Sequence, residues 1–120
     1  MKKIIYTITV IALVLIAIWF IARKEGVKTY DDVSLDTFAQ CLATKGMTMY
    51  GADWCPHCKK EKALFGSSFK YVPYVECPDN VQLCLSKGID SYPTWIDATG
   101  TSYKGQQGIE RVSQISGCQI

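Results

Sequence analysis

The sequence predicts an α/β domain carried behind a single apolar N-terminal segment. Three observations lead there. An uncharged run extends from Ile4 to Ala22; helix-like and strand-like stretches then alternate to the end of the chain; and Trp54-Cys55-Pro56-His57-Cys58 lies between a strand-like run and a helix-like one. Strands that alternate with helical patterns build a sheet covered by helices.

Ile4 to Ala22 is 19 residues, interrupted by Thr7 and Thr9 and by no charge. At about 1.5 Å per residue such a helix crosses a hydrocarbon core of roughly 30 Å. Residues 1–22 therefore read as a transmembrane helix. The competing reading is a cleaved secretory signal, which has a shorter apolar region and small residues at its cleavage site. Cleavage after Ala22 would put Phe20 at the third position back, and Arg23 and Lys24 follow at once. The flanks thus favour an uncleaved signal-anchor. Residues 23–31 form a polar, glycine-containing linker, and residues 32–120 one soluble domain without internal repeats.

Lys2 and Lys3 account for the net charge of +2, so the rest of the chain is balanced. A balanced domain without a basic stripe lacks the electrostatic footprint of a nucleic-acid binder. Orientation by charge is nearly tied, with Lys2, Lys3 and the amino terminus on one side and Arg23, Lys24 and Lys28 on the other. The cysteines break the tie, because six in a small domain suit an oxidising compartment. The expected location is the inner (cytoplasmic) membrane, single-pass, with the C-terminal domain facing the periplasm or cell exterior.

Within the domain, Ser34 is a candidate N-cap, Leu35, Phe38 and Leu42 have helical spacing, and Gly46 marks a helix end, which predicts a helix over 34–45. Met47 to Gly51 reads as a short strand. Pro56 favours a helix start around the two cysteines, with Lys59, Lys60 and Lys62 in solvent and Ala63, Leu64 and Phe65 supplying apolar contacts before Gly66. Tyr71 to Glu76 suggests a strand marked by Pro73 as an edge or an irregular start. A short helix follows, capped by Asp79 or Asn80 and ended near Gly88. Thr94 to Asp97 and Thr101 to Lys104 form a hairpin, and Ile109, Val112 and Ile115 mark a last helix.

The chemistry centres on Cys55 and Cys58. A cysteine at a helix N-terminus faces unpaired N–H groups and the positive end of the helix dipole, which favour thiolate over thiol. Cys55 is the expected nucleophile. Cys58, one turn into the helix, is the expected resolving thiol, able to displace a captured partner and close the Cys55–Cys58 disulfide. Pro56 stiffens the first turn. His57, the one histidine, lies between the sulfurs, where it adds to thiolate stabilisation and so makes the disulfide a stronger oxidant.

Tyr50-Gly51-Ala52-Asp53-Trp54-Cys55-Pro56-His57-Cys58, with Gly88-Ile89-Asp90-Ser91-Tyr92-Pro93-Thr94-Trp95, resembles the thioredoxin superfamily over nearly all of the soluble domain. Met49-Tyr50-Gly51, Leu64-Phe65-Gly66 and Val75-Glu76-Cys77 narrow the resemblance to the thioredoxin-like domain often fused to bacterial vitamin K epoxide reductase homologues. The resemblance implies a thioredoxin-like fold and a donor of disulfides to cysteine-containing secreted proteins. It also implies reoxidation by a quinone-linked, vitamin K epoxide reductase-like membrane partner, here a separate protein. It makes Pro93 the cis proline facing the active cysteines and Tyr92 a source of backbone contacts to substrate, beside an apolar landing surface expected of Trp54 and Tyr92. One departure stands out. Thioredoxins carry a buried acid six residues before the first cysteine, and this chain has Met49 there. Glu61 is a possible substitute, although its lysine neighbours favour a solvated helix-face carboxylate.

With Cys55 and Cys58 as the active pair, the favoured pairing of the other four is Cys77 with Cys84, closing a small loop, and Cys41 with Cys118, tying the first domain helix to the chain end. Cys41 as a core thiol is the alternative. A zinc site of Cys55, Cys58, Cys77 and Cys84 has the right ligand number and poor spacing, so no metal is expected. No soluble cofactor is expected beyond the redox-active disulfide. An extracytoplasmic thiol reductase or isomerase, for example in cytochrome maturation, is the rival oxidoreductase reading, and a peptide-binding or chaperone module the rival of another class.

Overall fold

The computed structural model describes residues 1–22 and 30–120. Its first helix, α1 (Lys2–Ala22), exposes every side chain from Met1 to Ile21. By length and composition, Lys2–Ile21 is a candidate membrane span. Thr7 and Thr9 turn their hydroxyls back onto the carbonyls of Ile4 and Tyr6, both at 2.8 Å, which satisfies them within the helix as a lipid environment demands. The linker expected over 23–31, with Arg23, Lys24 and Lys28, lies outside the described residues except for Tyr30 and Asp31.

Helix α2 (Asp32–Thr44) starts before the position that Ser34 suggested. Asp31 is the cap, its carboxylate accepting from the Ser34 amide at 2.7 Å, and Ser34 sits in the first turn with its hydroxyl donating to the Asp31 carbonyl. A carboxylate there also meets the positive end of the helix dipole. Leu35, Phe38, Ala39 and Leu42 form its buried stripe.

The sheet has strand order β2-β1-β3-β4, with β1 (Thr48–Gly51), β2 (Tyr74–Glu76), β3 (Thr94–Ile96) and β4 (Ser102–Lys104). β1 pairs parallel with β2 and antiparallel with β3, and β3 pairs antiparallel with β4. Parallel pairing of β1 with β2 needs a crossover, supplied by α3 (Pro56–Phe65) and a 3-10 segment, Gly66–Tyr71. The strand expected from Tyr71 begins only at Tyr74. Val72 spends its amide on the Phe69 carbonyl, and Pro73, with no amide to give, accepts from Met49 at 2.9 Å. After a 3-10 turn at Cys77–Asp79 come α4 (Val81–Ser86) and, past the hairpin, α5 (Gly108–Ser116).

Period two along β1 divides the core. Met49 joins Phe38, Leu42, Phe65 and Trp95 on one side, while Tyr50 joins Cys77, Cys84 and Ile96 on the other. Phe38 and Phe65 stack at 5.8 Å, fixing α2 against α3. The inner face of α3 is Cys58, Glu61 and Phe65; of the three residues expected to supply apolar contacts, Phe65 is buried and Ala63 and Leu64 are exposed. The result is a mixed α/β architecture consistent with a thioredoxin-like fold, in which β1 delivers the chain to the N-terminus of α3.

Candidate active site

Cys55 is the N-cap of α3, in extended conformation, with Pro56 at the first helical position. Its sulfur accepts from the Cys58 amide at 3.3 Å, so one of the helix's unpaired N–H groups points at it. The same sulfur lies 3.7 Å from the Tyr92 carbonyl, to which the thiol donates. Cys55 is 5% exposed and Cys58 fully buried, and both are free thiols. Burial, followed by the hydrogen bond with Cys55, pushes the Cys58 thiol up to about 12. Both sulfurs are buried, Cys58 the more deeply; Cys55 faces a helix amide, and Cys58 holds its proton.

The remaining sequence-predicted residues spread around this pair. The Tyr92–Pro93 peptide is cis, and Pro93 is buried beside the site through the Tyr92 carbonyl. Trp54 is 68% exposed and meets the Tyr92 ring edge-on at 5.9 Å, forming an apolar rim. Pro56 and His57 are exposed on the first turn of α3. Cys77 is bonded to Cys84 (S–S 2.01 Å) and Cys41 to Cys118 (2.04 Å), which leaves Cys55 and Cys58 as the free pair. The first of these bonds uses two of the four thiols that a zinc site would need.

Two expectations about α3 are corrected. Glu61 is not a solvated helix-face carboxylate but fully buried. It accepts from the Trp95 indole N–H at 3.0 Å and from the Gln107 and Gly108 amides at 3.1 and 3.0 Å, the start of α5. A carboxylate that accepts several N–H bonds at a helix N-terminus is an anchor between elements. Lys62 is not simply in solvent. It donates to Asp53 at 2.9 Å and lies 3.7 Å over the Tyr74 ring. The Lys62 bond holds the Asp53 carboxyl below the usual range.

Gly51 and Glu76 entered the sequence reading only as parts of a family resemblance and Tyr74 only within a strand, none of them with a role at the site. Tyr74 donates to Glu76 at 2.5 Å, and the other Glu76 oxygen accepts from the Asp53 amide at 2.9 Å, ahead of the active cysteines. Burial and then Glu76 raise the Tyr74 phenol far above its ordinary range. A Cβ at Gly51 would stand 2.9 Å from the Cys58 sulfur and 3.3 Å from the Tyr74 oxygen, so only glycine leaves that space open. The signal available in the sequence was the two-residue spacing of Tyr74 and Glu76, which puts both on one face of a strand.

Comparison with known proteins gives two informative relatives. The chain is 40% identical over 67 residues to thiol-disulfide oxidoreductase LTO1 of Arabidopsis thaliana, covering 48% of this chain and 18% of that protein. It is 33% identical over 97 residues to a protein disulfide-isomerase of Aspergillus niger, covering 71% of this chain and 19% of the relative. The chain thus spans about a fifth of the length of these curated relatives. No family model matches the chain. Relatives bearing these names, together with two free cysteines held within disulfide reach at a helix N-terminus, support a thioredoxin-like superfamily and a thiol–disulfide redox role.

Proposed function

We propose that the chain is a membrane-anchored thiol–disulfide oxidoreductase whose Cys55 exchanges disulfides with cysteines of secreted proteins and whose Cys58 resolves the mixed disulfide. The observation that carries this reading is the unequal environment of the two sulfurs. One accepts an amide at the helix N-terminus; the other is buried with its proton retained. In the donor direction a client thiolate attacks Cys55, the Cys55–Cys58 bond breaks, and the electron pair leaves on Cys58. The client's second thiolate then displaces Cys55, and the client leaves oxidised while the enzyme is reduced.

Return to the disulfide needs an electron acceptor, and a quinone-linked, vitamin K epoxide reductase-like membrane protein is the proposed one. The exposed apolar helix α1 supports a membrane setting, with residues 1–22 as anchor, a linker over 23–31 and the 32–120 domain outside the inner membrane. The two disulfides that involve Cys41, Cys77, Cys84 and Cys118 support an oxidising compartment for that domain. Pro56 and His57 tune the active disulfide in this scheme, while Trp54, Tyr92 and Pro93 receive the client chain.

The name of the Aspergillus relative favours a second reading, isomerisation of wrongly paired disulfides. The redox state of Cys55 and Cys58 in cells, read by alkylation after acid quench, separates the two. A pair found mainly as disulfide supports the donor, and a pair found mainly as dithiol moves the assignment to the isomerase or reductase.

A further inference from the structure

The resolving step raises a proton problem that the established features leave unsolved. Cys58 must lose its proton to attack, yet it is fully buried, and the position six residues before Cys55 holds Met49, itself buried, with no ionisable group. The titratable and charged groups around Cys58 come from α3, the turn before it and β2. Cys55 and Lys62, on α3 or its cap, and Tyr74, on β2, act on Cys58 itself, while Asp53, ahead of α3, and Glu76, on β2, act on Tyr74. β1 contributes Gly51, which has no side chain. Glu61, the one carboxylate of α3, is committed to Trp95 and to the first amides of α5.

We propose that Tyr74 and Glu76 are the proton path of Cys58, the phenol relaying the thiol proton to the carboxylate across the space left open by Gly51. The inference rests on the redox reading above. Its geometry has three parts. The Cys58 sulfur and the Tyr74 oxygen both border the absent Gly51 side chain, at 2.9 and 3.3 Å from its would-be Cβ. The Tyr74 hydroxyl already points at Glu76 Oε2, 2.5 Å away. Glu76 Oε1 is fixed by the Asp53 amide, and Glu76 is only half-buried, so its carboxylate can pass a proton to water.

In the resolving direction Cys58 S–H gives its proton to the Tyr74 oxygen while the Tyr74 O–H proton moves to Glu76. The Cys58 thiolate attacks Cys55, the Cys55–Cys58 bond forms, the Cys55–client bond breaks, and the electron pair departs on the client sulfur. The enzyme pair is oxidised by two electrons, the client is reduced by two, and Glu76 returns its proton to solvent. In the donor direction the same path runs backward and protonates Cys58 as it leaves. The high affinity of Tyr74 for its proton suits a relay, because the phenol passes a proton on without remaining ionised.

The test uses the reduced 120-residue chain in detergent and dithiobisnitrobenzoate as the disulfide, followed by stopped flow. Release of the first nitrothiobenzoate reports attack by Cys55, and release of the second reports resolution by Cys58. Tyr74→Phe and Glu76→Gln should keep the first phase within about twofold and slow the second by about 100-fold at pH 7, the low end for positioned proton transfer. Their second phase should then climb about tenfold per pH unit, as hydroxide replaces the relay, while the wild-type phase changes less steeply. Two results overturn the proposal: a second phase equal to wild type, or one slowed by the same factor at every pH, which is a packing defect. Absence of any exchange by the wild-type chain is a different failure and sinks the redox reading together with the relay.

Discussion

Cys55 and Cys58 sit three residues apart, both buried, yet one accepts a helix amide and the other has its thiol pushed up, which makes single-atom changes decisive. Cys55→Ser should abolish disulfide exchange, whereas Cys58→Ser should leave attack intact and trap client proteins as mixed disulfides, visible as bands lost on reduction in gels. A Cys58→Ser chain that traps nothing would remove Cys58 as the resolving group. The raised Cys58 thiol also links redox state to stability. Its folded value, about 12, exceeds the ordinary 9.0, so the native state holds this proton more tightly than the unfolded chain does. That contribution is fully present below pH 9 and is lost as pH rises toward 12; the raised Tyr74 phenol adds in the same direction at the alkaline end. The urea midpoint of the reduced protein should therefore fall between about pH 9 and 12 more steeply than that of the oxidised protein, which has no Cys58 proton. Parallel falls for the two forms would contradict this. Glu61 is the other residue whose change matters. Glu61→Leu strands the Trp95 indole and the two α5 amides and should cost about 3 kcal/mol of stability, with Glu61→Gln costing about 1. A Leu variant as stable as wild type in urea would show that these donors find other partners.

Elements were readable where their signal was local. The stripe of Leu35, Phe38 and Leu42, the cysteines against Pro56, and the hairpin around Gly100 all lie within a few residues of what fixes them. What the sequence did not disclose depends on partners far along the chain. Nothing near Glu61 says that Trp95 and the start of α5 will close over it, so its lysine neighbours pointed to solvent. Likewise Asp53 and Lys62 are nine apart, off any helical spacing, and meet because the turn before α3 folds back over it. Ser34 lost the cap to Asp31 for a smaller reason: both satisfy cap chemistry, and only the backbone path decides between them. The same distinction orders the disulfides. Cys41–Cys118 closes a separation of 77 residues and Cys77–Cys84 one of 7, so chain entropy assigns them about 4.5 and about 2.4 kcal/mol. Replacing Cys41 and Cys118 by alanine should lower the urea midpoint clearly more than replacing Cys77 and Cys84. The reverse order would mean that the short bridge holds α4 in a way loop length does not capture.

A chain with one fully exposed apolar helix and one domain with its own core poses a solvent problem for the whole molecule. From Ile4 to Ile21 the helix leaves Ile, Leu, Val, Trp and Phe side chains uncovered, far beyond the few hundred Å² of apolar patch that a soluble monomer tolerates. A bilayer would remove that cost, and under the proposed function it is also where clients and electron acceptor would meet Cys55. The consequence is measurable in the intact chain. Val14→Arg combined with Ala17→Asp places two charges near the middle of α1, each costing roughly 2.5–3.5 kcal/mol at a bilayer centre on insertion scales. Wild-type chain should resist alkaline carbonate extraction from membranes, and the double variant should move to the soluble fraction. The sidedness of the domain follows from a second reading of the same cells. An impermeant maleimide should label Cys55 after reduction without breaking the inner membrane, because the proposed domain faces outward. Labelling only after that membrane is opened would place the active pair in the cytosol, where a donor of disulfides to secreted proteins has no clients.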